Sequence, residues 1–112
     1  MNPVGAGELN RRIRIEKPES VIDDVGQSQR SWRLFASVWA DIQPLSGREF
    51  EVAQSIAAGV NHLVTIRYLP GVTAAMRINY QGRFLNIESV MDVDTGHHTM
   101  QLACTEGLND GR

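Results

Sequence analysis

Residues 39–68 read WADIQPLSGREFEVAQSIAAGVNHLVTIRY, and the fold turns on this stretch. It runs strand, break, short helix, break, strand. Val38, Ala40 and Ile42 alternate with Trp39 and Asp41, the period-two pattern of a half-buried strand. Pro44 ends the ladder because it has no N–H to donate. Ser46-Gly47-Arg48-Glu49 has the form of a capping box. In that motif the Ser46 hydroxyl accepts the N–H of Glu49, and the Glu49 carboxylate reaches back to the N–H of Ser46. Phe50, Ala53 and Ala57, with Ile56 beside them, then recur at helical spacing. Gly59 falls where a left-handed C-terminal cap belongs. From Val60 the alternation returns, with Val64, Ile66 and Tyr68 on one face and Leu63, Thr65 and Arg67 on the other. A helix of about ten residues is not stable alone in water. Its apolar stripe is mostly alanine, so a thin contact, or one shared with another subunit, is expected.

Working outward, residues 1–8 are glycine-rich and polar, and a mobile arm is expected there. Residues 9–16 read as a strand with Ile13 and Ile15 inward and Arg12 and Arg14 outward. Residues 17–28, with Pro18 and Asp23-Asp24-Val25-Gly26, read as a polar hairpin connection. Residues 29–42 carry Trp32, Leu34, Phe35, Val38 and Trp39 as apolar anchors. The phase slips near Phe35-Ala36, as a β-bulge requires. Residues 75–80 form a short strand, Gln81-Gly82 a tight hairpin turn, and residues 83–93 a further strand. Asp94-Thr95-Gly96 turns the chain, and residues 98–104 close with Met100, Leu102 and Cys104 in phase. About six strands joined by short turns, with one inserted helix, argue for a small antiparallel barrel or sandwich. The expected organisation is an arm at 1–8, one domain at 9–105 with a helix-bearing loop at 44–59, and a frayed tail at 106–112.

The 112 residues are the length of one domain, able to bury a working core without metals or disulfides. A 42% hydrophobic share is too high for disorder, and a net charge of −2 does not fit a general nucleic-acid or membrane binder. Cys104 is the single cysteine, so no intrachain disulfide forms, which fits a reducing cytoplasm. No apolar run reaches membrane-spanning length, and the opening MNPVGAGELN lacks the pattern of an export signal.

Chemical constellations are sparse. His97 and His98 are neighbours on an extended chain and point to opposite faces, so they do not chelate one ion. His62 has no ligand partner at metal spacing. Cys104, in phase with Met100 and Leu102, reads as a small core hydrophobe rather than a nucleophile. Asp23-Asp24 is turn composition, and Asp92 with Asp94 lacks the further oxygens of a calcium loop. Gly71, Gly82 and Gly96 are isolated, so no phosphate-cradling loop exists. Arg11, Arg12 and Arg14, with Lys17, make a basic edge. Such an edge discourages sheet-to-sheet aggregation, or meets an acidic neighbour or passing nucleic acid. Nothing here supports catalysis, a metal or a cofactor.

Several strings then line up together. Gly7-Glu8-Leu9-Asn10-Arg11-Arg12-Ile13-Arg14-Ile15 opens the chain, and VWADIQPLSGRE covers residues 38–49. Val64-Thr65-Ile66-Arg67-Tyr68, Pro70-Gly71, Met76-Arg77-Ile78 and a Tyr-x-Gly-Arg-x-x-x-Ile-x-Ser segment at residues 80–89 follow in register. Together they resemble the head–tail joining proteins of tailed bacteriophages and prophages, also called head-closure, stopper or head-tail adaptor proteins. The resemblance runs from Gly7 to about Cys104.

It implies a small β-barrel with a helix-bearing inserted loop, assembled as a ring between the portal or adaptor and the tail. It implies no catalytic motif and no cofactor. Carried onto this chain, the channel-facing or intersubunit loop includes Leu45, Ser46, Gly47, Arg48, Glu49, Phe50 and Gln54, with Arg11, Arg12 and Arg14 as a possible partner contact. Packaged double-stranded DNA would pass through the ring without sequence-specific binding, and the protein would reside in the virion after assembly in the host cytoplasm. Two other readings stand beside it: a tail-completion or tail-terminator protein of the same assembly, and an OB-like nucleic-acid-binding barrel. The last of these needs exposed aromatics interleaved with Lys and Arg on one sheet face.

Overall fold

The two stretches flanking the insertion are strands, as their alternation predicts, and the structure pairs them as antiparallel neighbours in a closed sheet. A computed structural model describes residues 9–92, 96 and 98–107. The arm at 1–8, Asp94-Thr95, His97 and the tail from 108 onward lie outside the described residues. Six strands and one helix follow in chain order: β1 (Arg11–Ile22), β2 (Ser28–Pro44), α1 (Gly47–Ile56), β3 (His62–Arg67), β4 (Arg77–Tyr80), β5 (Arg83–Asp92) and β6 (Thr99–Thr105). The strands close into an antiparallel barrel in the order β1-β2-β3-β6-β5-β4, with β4 pairing back onto β1. Closure leaves no sheet edge within the barrel wall.

Period-two patterning fills the interior. Ile13 and Ile15 from β1, Ala40 from β2, Val64 and Ile66 from β3, Ile78 from β4, and Leu85 and Ile87 from β5 are buried together with Met100, Leu102 and Cys104. β3 and β4 are not neighbours, so the segment joining them crosses the barrel and delivers Val72 and Met76 to the same core. Cys104 sits at 0% exposure, and burial pushes its thiol far above the ordinary value. A thiol held protonated in this way is inert.

Two irregularities shape the wall. Ile15 pairs with Ala36 and Glu16 with Leu34, so Phe35 is the extra residue of a bulge where the sequence phase slips. A second bulge falls at Glu88, between Ile87 and Ser89. At the β4–β5 turn Gln81 and Gly82 both have positive φ, 52° and 86°, the backbone of a two-residue hairpin loop.

The connection expected at residues 17–28 is mostly strand. The β1–β2 ladder continues without a break to Ile22 opposite Ser28, and only the residues between them turn. Pro18 does not stop it. In a two-stranded ribbon alternate N–H groups point away from the partner, so proline is tolerated at such a position. The turn is held by Asp23, whose carboxylate accepts from the N–H groups of Val25 and Gln27 and from the Gln29 side chain. β1 leaves β4 after Glu16, and the six pairs beyond it stand clear of the barrel as a ribbon. At about 3.4 Å per residue the ribbon projects roughly 20 Å.

Candidate functional site

The surface most able to meet a partner lies around the inserted helix. α1 covers the outer wall where β3, β6 and β5 run side by side, but its contact with the barrel is sparse. Between helix and wall lies a groove of about 450 Å³. Leu45, Val52, Ala53, Val60, Leu63 and Met91 give it an apolar lining, with Arg48 and Glu49 among the residues around it.

Three local expectations change here. Ser46 holds the N-cap position, but its hydroxyl makes no capping hydrogen bond; the first helical bond comes from its carbonyl, which accepts from the Phe50 N–H. Gly47 follows with φ +58°, and this left-handed residue turns the first peptide away from the geometry in which Ser46 and Glu49 close a capping box. At the other end the C-cap is Ala57, whose N–H donates to the Ala53 carbonyl. Gly59 is left-handed, with φ +88°, but lies beyond the cap. Gln54 clamps that turn instead, accepting from the Gly59 N–H and donating to the Val60 carbonyl. Finally, Phe50 is 38% exposed and does not line the groove; Glu49, Val52 and Ala53 take the inward face.

The residues singled out in the sequence therefore divide. Leu45, Arg48 and Glu49 meet at the groove, Ser46, Gly47 and Phe50 are exposed beside it, and Gln54 is spent on the loop. Arg11, Arg12 and Arg14 are exposed on β1, on the opposite wall. Arg12 donates to the Ser37 hydroxyl at 3.1 Å and lies 5.3 Å from the centre of the Trp39 ring. Trp39, expected as an anchor, is 52% exposed: its strand phase sends Val38 and Ala40 inward and the indole out.

Alternation gives no hint of one cluster. Arg77 is buried on the outside of the barrel at the foot of the ribbon. Its Nε donates to Glu16 Oε1 at 2.7 Å, and its guanidinium lies between the rings of Trp32 and Phe84, 4.2 and 4.1 Å from their centres. Asn79 donates to the other Glu16 oxygen. Arg77 Nη1 is buried without a hydrogen-bond partner. The charged pair fixes the point where the ribbon leaves the wall.

A second network ties the end of β6 to β3 and β5. Arg83 grips Glu106 with two bonds, 2.6 and 2.9 Å long, and Asn61 bonds the Glu106 backbone at both its N–H and its carbonyl. Glu106, read from sequence as the first residue of the tail, is thus held. His62 Nε2 lies 3.6 Å from the same carboxylate. Arg83 holds the Glu106 carboxyl below its ordinary value. His62 is also lowered, because its burial outweighs the attraction of Glu106. Both groups then act in the same direction on acidification, since the unfolded chain takes up each proton first. The melting temperature is expected to be level from pH 6.5 up to about 9, where ionisation of the Cys104 thiol begins to favour the unfolded chain. On acidification it should fall in two stages, from 6.5 as His62 is forced to charge, and below 4.5 as Glu106 is protonated. His62→Gln should remove the first stage only.

Among the described residues no group of histidine, cysteine and carboxylate side chains is placed to hold a metal ion. No described helix is long and apolar enough to cross a membrane.

A helix-bearing loop on a small closed barrel is the arrangement that the sequence resemblance implies, and the family comparison agrees. The model of the phage head completion protein family matches residues 4–107. The chain belongs to that family. Head completion proteins are structural components of phage heads, so this is a virion-associated structural protein. A solved structure similar to this head completion protein is the solution structure of protein SF1141 from Shigella flexneri 2a. It is 25% identical, with a TM-score of 0.73, over 96% of this chain and 100% of that one. A chain in the virion of a native gene transfer agent particle shares the fold, with a TM-score of 0.59 at 20% identity, over 90% of this chain and 97% of that one. No curated protein matches this head completion protein significantly.

Proposed function

We propose that this head completion protein is the head-closure, or stopper, component. In this reading it forms a ring between the portal or adaptor and the tail, retains packaged DNA and offers the tail its docking surface. The observation that carries the reading is the thinly packed helix of the insertion, whose apolar groove is filled by none of the described residues. A monomer has no use for an exposed groove of that kind, whereas a subunit of an assembly does. The insertion at 44–59 then lies at the subunit interface, with Phe50 and its exposed neighbours turned toward the channel. The role is non-enzymatic, and DNA passes without sequence-specific contact. The tail-terminator role places the same surfaces on the tail side instead.

One observation favours the nucleic-acid barrel as a second reading. Trp39, Arg12, Arg67 and Tyr68 line a shallow cleft of about 270 Å³, an aromatic and basic combination suited to stacking. Salt-dependent binding of single-stranded DNA, lost in Trp39→Ala, would support it.

Deleting the gene from its phage separates these roles. A stopper deletion should give filled heads that leak DNA, beside finished tails that remain unattached. Tails of uncontrolled length, with heads that stay full, would move the protein to the tail side.

A further inference from the structure

The ribbon and the groove answer each other in chemistry and lie on opposite walls. The ribbon extends β1 and β2, whereas the groove lies over β3, β6 and β5, and β6 stands across the closed sheet from β1. The end of the ribbon carries three aliphatic side chains with no cover: Val21, Ile22 at 72% exposure and Val25 at 78%. A two-stranded ribbon is marginally stable in water without a surface to lie on. The groove is the converse, an apolar hollow beside a helix that lacks packing. Charge agrees as well. Asp24 sits at the ribbon tip and Arg48 beside the groove, and among the described residues neither has an ion-pair partner.

We infer that the occupant of the groove is the ribbon tip of a second copy of this chain. Ile22 enters the space between α1 and the barrel, and Asp24 meets Arg48. Donor and acceptor surfaces differ and face opposite ways, so one contact leaves a free groove on one copy and a free ribbon on the other. That is a heterologous interface, and it propagates from subunit to subunit until it closes. The ribbon also gains the surface it lacks, and α1 gains a second wall to pack on. The inference rests on the ring reading above and specifies its subunit contact.

The test is cross-linking of the full chain in assembled particles. Ile22→Cys and Val52→Cys are made singly and together; both native side chains are exposed, so folding is not at issue. The native Cys104 is buried and does not compete. A short bis-maleimide should give a ladder of multimers from the double variant and none from either single variant. Several copies found at the head–tail junction without that ladder would overturn the ribbon contact and leave the ring reading standing. A cross-linked dimer from Ile22→Cys alone, the largest product that one reactive thiol per chain allows, would mean that tips meet tips, and would likewise overturn it. Absence of the protein from the junction would overturn both.

Discussion

Arg77→Ala is expected to destabilise the protein by about 3 kcal/mol, the usual loss when one partner of a buried ion pair is removed. For a domain of this size that corresponds to a drop of about 13 °C in melting temperature. Three effects act together. Among the described residues Glu16 keeps only Asn79 as a side-chain partner for its buried carboxylate, the faces of Trp32 and Phe84 lose the guanidinium between them, and a cavity opens at the ribbon foot. The ribbon is the part most affected, because Glu16 opposite Arg77 is the last pair joining β1 to β4. Hydrogen exchange should therefore quicken in residues 17–33 before it does in the core strands. Replacing Glu16 and Arg77 together by methionine separates charge from packing. The double variant should recover most of the stability, since apolar residues of similar volume commonly replace a buried pair without loss. A double variant as unstable as Arg77→Ala would mean that packing between the rings, not the stranded charge, dominates.

Val52→Asp should have the opposite profile: little change in melting temperature and a large loss of joining activity. Val52 lines the groove from α1 yet is itself more exposed than buried, so the isolated fold tolerates a carboxylate there. In the proposed ring the same position is covered, and the carboxylate must be desolvated in an apolar groove whose Arg48 is engaged by Asp24 of the next copy. A loss of about 2 kcal/mol per contact, roughly 30-fold in affinity, is the scale of an interface hot spot. A ring repeats the contact at every subunit, so the effect on closure is multiplied. Infectious yield and attachment of tails to purified heads measure it, with circular dichroism as the control on folding. Normal joining by a folded Val52→Asp protein would mean that the groove is not an interface.

Much of this barrel is written in local pattern. Ile13 with Ile15, and Met100 with Leu102 and Cys104, follow the alternation of a wall with one buried face, and all five are buried. The slip at Phe35 and the turn at Gln81-Gly82 show because a bulge and a two-residue hairpin each leave a mark within a few residues. What depends on distant partners does not show. Arg77, between Met76 and Ile78, has the phase of an ordinary outward residue, and only the closed sheet brings Glu16, Trp32 and Phe84 around it. The ribbon was hidden for a different reason: Pro18 and the polar composition around it imitate a loop, and composition does not tell whether a proline faces a partner strand. At the insertion, the pattern at residues 46–49 fits a capping box, but the left-handed Gly47 sets another geometry. Which face of α1 turns inward was likewise decided by the barrel wall and not by the helix.

The most direct measurement is the mass, by native mass spectrometry or light scattering, of this protein alone and mixed with the portal–adaptor complex of its own phage. A defined number of copies bound to the portal side, closing into a ring, is the result the account requires. Binding to tail tubes alone would contradict the stopper role, and binding to neither would contradict a place at the junction altogether.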